Sequence, residues 1–186
     1  GTGYALVLSG FLTDASGNNN SASTNTNFTY DTRVPTVSIA ASATTLKSGE
    51  TSTLTITLSE ASSNFATGDV SVTGGTLSSV TATSSTVYSV VFTPTANTQS
   101  GSGSVSVASG VFTDAAGNNN TASSTTSLTY DTQAPTVSIA ASSASLKSGE
   151  TSTLTFTLSE ASTDFVVTDI SASGGTLSSF TGSGTS

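Results

Sequence analysis

The chain has 186 residues, eleven acidic and three basic side chains and a net charge of −8, with only 8% of its residues charged against roughly 25% in ordinary domains. So few scattered Lys and Arg argue against nucleic acid and against a polybasic membrane contact, both of which need clustered cations. Cys and His are absent, which removes disulfides, the usual zinc ligands and any Ser-His-Asp or Cys-His nucleophile.

Apolar residues alternate with polar ones at a period of two through most of the chain, the pattern of half-buried strands. Residues 1–30 read as the end of one domain. A short joint, Asp31-Thr32-Arg33-Val34, leads to Pro35, after which Val37 and Ile39 begin a strand; proline suits a strand's first residue or an edge. Lys47-Ser48-Gly49-Glu50 is a turn signal. In 51–60, Leu54, Ile56 and Leu58 alternate with Thr53, Thr55 and Thr57, an antiparallel strand with one wet face that β-branched Thr suits. Further strands are expected at 69–73, at 76–83, at 87–93 with Tyr88, Val90 and Phe92 inward, and at 102–107, running on toward Phe112. The turn Asp114-Ala115-Ala116-Gly117-Asn118 follows, and 124–130 closes the set. Seven short strands with frequent turns and no helical period predict an all-β, immunoglobulin-like sandwich, with a closed barrel as the alternative.

The pattern then restarts. Residues 31–86 match 131–186 at 36 of 56 positions, and 1–30 match 101–130 at 17 of 30, both without a gap. A spacing of 100 residues is that of whole domains and not of solenoid repeats, which run about 20 to 50 residues. The expected organisation is the end of one domain at 1–30, a complete domain at 31–130 and the start of a third at 131–186. With no Met and no signal peptide, the chain is expected to be an internal slice of a longer array. No apolar run approaches the roughly 18 residues of a membrane span.

In an antiparallel sandwich with these strands, the joint, the loop between Glu60 and Asp69 and the loop that holds Asp114 and Asn118 fall at one end. The acids gather there: Asp31, Glu60, Asp69 and Asp114, with Asn118 beside them. Asp131, Glu160 and Asp169 repeat the first three, with Asp164 added, and Asp14 and Asn18 precede Asp114 and Asn118 by one period. Converging carboxylates repel one another unless a cation neutralises them. Calcium takes six to eight oxygen ligands in flexible geometry, magnesium demands a tighter octahedron, and zinc prefers the absent His and Cys. The other reading is turn chemistry alone, since Asp caps its own backbone and Gly and Asn accept positive φ. Glu50 and Glu150, in the turn at the opposite end, read as solvated charges beside Lys47 and Lys147.

The runs Asp-Thr-x-x-Pro-Thr-Val-Ser-Ile, Leu-x-x-Gly-Glu-Thr-x-Thr-Leu-Thr-x-Thr-Leu-Ser-Glu and Phe-Thr-Asp-Ala-Ala-Gly-Asn resemble the bacterial immunoglobulin-like repeats of giant surface adhesins over the whole chain. The resemblance implies an extracellular, non-catalytic extender repeat that holds a terminal binding domain away from the cell in adhesion and biofilm formation. It also implies calcium at the junctions between domains, with Asp31, Glu60, Asp69, Asp114 and Asn118 as ligands. The implied partners are neighbouring repeats of the same chain. Two alternatives remain. One is a subunit of an extracellular filament, which would also bring other copies together in a fibre. The other is a spacer or carbohydrate-binding module of a secreted enzyme.

Overall fold

A computed structural model describes residues 1–185 and divides the chain into two compact units, Gly1–Thr132 and Gln133–Ser186. In the first unit, β1 (Thr2–Ala5) and β2 (Thr26–Thr29) form a separate antiparallel pair. Two larger sheets follow, built from β3 (Val37–Ala41), β4 (Thr45–Lys47), β5 (Ser52–Leu58), β6 (Val70–Thr73), β7 (Gly75–Leu77), β8 (Thr81–Ala82), β9 (Val87–Pro94), β10 (Gly101–Val107) and β11 (Thr126–Asp131). One sheet has the order β3-β5-β9-β7 with β8 also on β9, and the other has the order β4-β11-β10-β6. Two open sheets make a sandwich, not a closed barrel.

The alternation read from the sequence fixes what lies between the sheets. Along β5 every second residue is buried, from Ser52 through Leu54 and Ile56 to Leu58, and the Thr residues between them face water. Tyr88, Val90 and Phe92 of β9 turn inward to meet Val105 and Val107 of β10 and Leu128 and Tyr130 of β11. Phe92, Leu54, Ile56 and Val105 are fully buried. At about 25 cal/mol per Å² of apolar surface, such side chains supply most of the stability of a domain so poor in charge.

Three details differ from the sequence expectation. The first strand divides: β3 pairs antiparallel with β5, then the chain crosses to the other sheet, where β4 pairs parallel with β11, Thr45 opposite Thr129. Ser52 makes the crossing possible. Its hydroxyl donates to the Ala43 carbonyl at 2.7 Å and accepts from the Ala43 amide at 3.2 Å, satisfying a backbone step that neither sheet covers. The strand expected at 76–83 is likewise two short pieces, β7 and β8, both on β9. The run at 102–107 stops at Val107; Gly110, at φ +74°, turns the chain before Phe112 enters the core on its own.

The second unit carries β12 (Val137–Ala141) and β13 (Leu154–Leu158), paired with Val137 opposite Leu158, the register in which Val37 faces Leu58. Among the described residues this unit has no further strand, and Val137 and Ile139 are 53% and 62% exposed. Closely similar local sequence gives the same pairing register, although β13 is shorter than β5, five residues against seven. Among the described residues no helix is long and apolar enough to cross a membrane.

Candidate metal centre

Three stretches of backbone meet at one end of the first unit, and hydrogen bonds decide where their acids stand. The entering segment is fixed at Pro35, which is buried and whose carbonyl accepts from the Thr121 amide at 2.9 Å. Thr36 exchanges two bonds with Ser59: its amide donates to the Ser59 hydroxyl, and its carbonyl accepts from the Ser59 amide, both at 2.9 Å. Glu60 comes next in the chain. The loop that follows is laced to the far side of the sandwich at Thr113. The Ser62 hydroxyl donates to the Thr113 carbonyl at 2.7 Å, and the Thr113 amide donates to Asn64 Oδ1 at 3.1 Å. Asp114 comes next. Beneath these loops the Phe65 ring stands edge-on to Tyr88 and Phe112, with centroids 4.9 and 5.3 Å away.

The outcome is a trio. Asp31, Glu60 and Asp114 each place a carboxylate oxygen within 4.8 Å of the other two. Asp31 is exposed, Glu60 half-buried and Asp114 buried. Glu60 Oε1 is shut off from solvent with no hydrogen-bond partner, and so is Glu160 Oε1 in the second unit. A buried carboxylate oxygen with no donor is costly, and such groups ordinarily find an ion or an ordered water. The donor set is oxygen only, which suits calcium better than zinc.

Asp114 is held by its own loop. Its Oδ1 accepts from the amides of Ala116 and Asn118, both at 2.9 Å, and its Oδ2 accepts from Asn118 Nδ2 at 2.9 Å. The Asn118 side chain, foremost, and these amides stabilise the carboxylate and hold its pKa below the ordinary Asp range, against the opposing effect of burial. Asp14 repeats the arrangement with Ser16 and Asn18, and its pKa is lowered chiefly by the Asn18 side chain. The turn chemistry expected of this motif is therefore present in both copies and coexists with the trio.

The other sequence candidates lie elsewhere. Asp69 is outside the trio: it ends a short 3-10 turn, Thr67–Asp69, and its Oδ2 accepts from the Ala66 amide at 2.8 Å. Asp169 does the same for Val166 at 3.0 Å. Asn118 presents its amide nitrogen to the site, because Nδ2 also donates to the Asp31 carbonyl at 3.1 Å. Asp14 and Asn18 sit in an exposed loop, and Asp131 ends β11. Asp164 accepts the Ser162 hydroxyl at 2.6 Å, as Asn64 accepts that of Ser62. At the opposite end, Glu50 accepts from the Lys47 amide at 3.0 Å and completes that turn.

The residue that sequence reasoning missed is Asn120. Buried at 3% exposure, it accepts from the amides of Val111 and Phe112 and donates to the carbonyls of Ala108 and Thr121. Its signal was the Asn-Asn-Asn run shared by 18–20 and 118–120, in which Asn20 makes the same four bonds.

A loop-bearing sandwich of this kind, repeated after 100 residues, has a counterpart among known families. The family model described as a bacterial Ig-like domain matches residues 31–130 and again 131–186. The chain belongs to the bacterial Ig-like domain family. The boundary between the two matches follows Tyr130, at the joint where the internal period restarts. Bacterial Ig-like domains are generally non-catalytic. No curated protein and no solved structure gives a match.

Proposed function

We propose that these bacterial Ig-like repeats are extender modules of a secreted bacterial surface adhesin, and that calcium stiffens them at the end where each domain receives the preceding segment. Their role in cell adhesion or biofilm formation is mechanical, not catalytic. The observation that carries the reading is the trio of Asp31, Glu60 and Asp114 together with the unpartnered Glu60 Oε1. Asp31 belongs to the entering segment, and Glu60 and Asp114 belong to the body of the domain. A cation shared by the three would tie one to the other. These residues would hold calcium, which would supply charge neutralisation and six to eight oxygen-directed bonds.

The physical logic is one of location. Calcium is scarce inside cells and about millimolar outside. A chain that is exported unfolded carries unneutralised carboxylates and acquires its stiffening ion only on arrival. A ligand that binds only the folded state stabilises it by about 2.7 kcal/mol at a hundredfold excess over Kd. Calorimetric titration of the chain with calcium is expected to give a saturable heat, and thermal unfolding of the 31–130 domain is expected to rise with calcium and fall back with chelator. Small-angle scattering is expected to show a longer maximum dimension with calcium than with chelator. No heat, no thermal shift and an unchanged dimension would together sink the reading.

A further inference from the structure

Asn118 has two amide hydrogens, and the fold uses both. One goes to Asp114 Oδ2 at 2.9 Å, the other to the backbone carbonyl of Asp31 at 3.1 Å. The first bond closes the loop on itself. The second reaches 87 residues back along the chain to the segment that enters the domain. We propose that Asn118 is the positioning residue of this site: a brace that fastens the backbone of Asp31 to the Asp114 loop and so holds the Asp31 carboxylate near those of Glu60 and Asp114, whether or not a cation is bound.

The internal repeat supplies the comparison. Asp14 and Asn18 form the same loop with the same lengths: Asn18 Nδ2 donates to Asp14 Oδ2 at 2.9 Å, and the Asn18 amide donates to Asp14 Oδ1 at 2.9 Å. That loop has no second acceptor for Nδ2 among the described residues, and it folds without one. Closing the loop therefore does not require the bond to Asp31; that bond is an addition, and what it adds is a connection between two distant stretches of chain. The chemistry also fixes the direction of the amide. Asp114 Oδ2 and the Asp31 carbonyl are both acceptors, so the group between them has to be the donor nitrogen. The Asn118 nitrogen serves only as a donor here, and no residue with only acceptor atoms can replace it.

Position is the point of the brace. Asp31 is exposed, and its own Oδ1 accepts from the Arg33 amide at 3.0 Å, a bond within the segment that ties it to nothing else. Downstream, the next anchor is the buried Pro35 with its bond from Thr121. Without Asn118, residues 31–34 would be held to the domain from one side only.

The test is amide hydrogen exchange at Arg33, whose amide is bonded to Asp31 Oδ1, in chelator, for the unsubstituted chain, Asn118→Ala, Asn118→Asp and the control Asn18→Ala. Loss of one hydrogen bond of ordinary net strength is expected to accelerate exchange there roughly tenfold in both Asn118 variants, while Asn18→Ala leaves it unchanged. Calcium titration of Asn118→Ala is expected to show affinity weakened by roughly tenfold, because the ion must then order Asp31 itself. Unchanged exchange at Arg33 in the Asn118 variants, equal acceleration in Asn18→Ala, or fast exchange with undiminished calcium affinity would each overturn the proposal. The affinity part rests on the calcium reading and the exchange part does not. If the unsubstituted chain binds no calcium, the cation assignment falls and the exchange result still decides the brace.

Discussion

Asn120 offers the sharpest test of what holds the loops in place. Its side chain makes four hydrogen bonds to backbone: from Val111 at 2.9 Å, from Phe112 at 3.0 Å, to Ala108 at 2.7 Å and to Thr121 at 2.8 Å. In Asn120→Ala these backbone groups lose their partner, and the fold covers the position so closely that water cannot simply replace the amide. Each buried group left unpaired costs about 1–3 kcal/mol. Even two of the four left without water would cost about 2–6 kcal/mol, a large fraction of the 5–15 kcal/mol that a domain of this size possesses. Asn20→Ala deletes the same four bonds from the first copy. There the surroundings are open, with Phe11 and Leu12 at 75% and 60% exposure, and solvent takes over the freed groups. That variant is expected to shift the main transition by less than about 0.5 kcal/mol. Urea denaturation monitored by tyrosine fluorescence measures both. Equal, small effects would refute the reasoning, since the bonds are the same and only burial differs.

Gly74 has φ +71°, and an added Cβ would collide with the Ser102 carbonyl, whereas Gly49, at φ +80°, faces open space. Gly74→Ala is expected to destabilise by about 3 kcal/mol or more and Gly49→Ala by about 1 kcal/mol, read from denaturation midpoints. Acid is expected to loosen the Asp114 loop. The folded-state pKa of Asp114 is depressed, so its contribution to stability is fully present above the ordinary Asp value of 3.8 and is lost as pH falls below that through the folded value. A pH series of thermal unfolding should show this loss below about pH 4, and Asn118→Ala should flatten it. A stability profile in Asn118→Ala as steep as in the unsubstituted chain would count against the Asn118 bond as the main cause.

The sequence disclosed the sandwich because its strands obey one rule throughout. Leu54, Ile56 and Leu58, or Tyr88, Val90 and Phe92, can alternate in this way only in a sheet with one buried face. It disclosed the end of the domain where Asp31, Glu60 and Asp114 meet because antiparallel connectivity dictates which loops share an end. It did not disclose the crossing of the first strand, because that depends on Ser52, a polar residue in an apolar place whose partner at Ala43 is a backbone group with no signature. Nor did it separate Asp69 from the other acids. A carboxylate that caps a 3-10 turn and one that faces its neighbours look alike in one dimension, and only the backbone path from Ala66 to Val70 tells them apart. The sequence placed Asn118 in the loop beside Asp114, but nothing in it told that the amide nitrogen also reaches the Asp31 carbonyl.

The parallel pairing of β4 with β11 sets the order of events when the domain forms. Thr45 meets Thr129, so the second strand segment has no permanent neighbour until nearly the whole period of chain exists. Contacts so far apart in sequence make for slow folding. The next copy carries β12, whose sequence Val-Ser-Ile-Ala-Ala is the same as that of β3, so β12 would offer β5 the same side chains as β3 does. An array of such domains therefore depends on the head start that each hairpin has over its successor: β3 is close to β5 in the chain, and β12 is not.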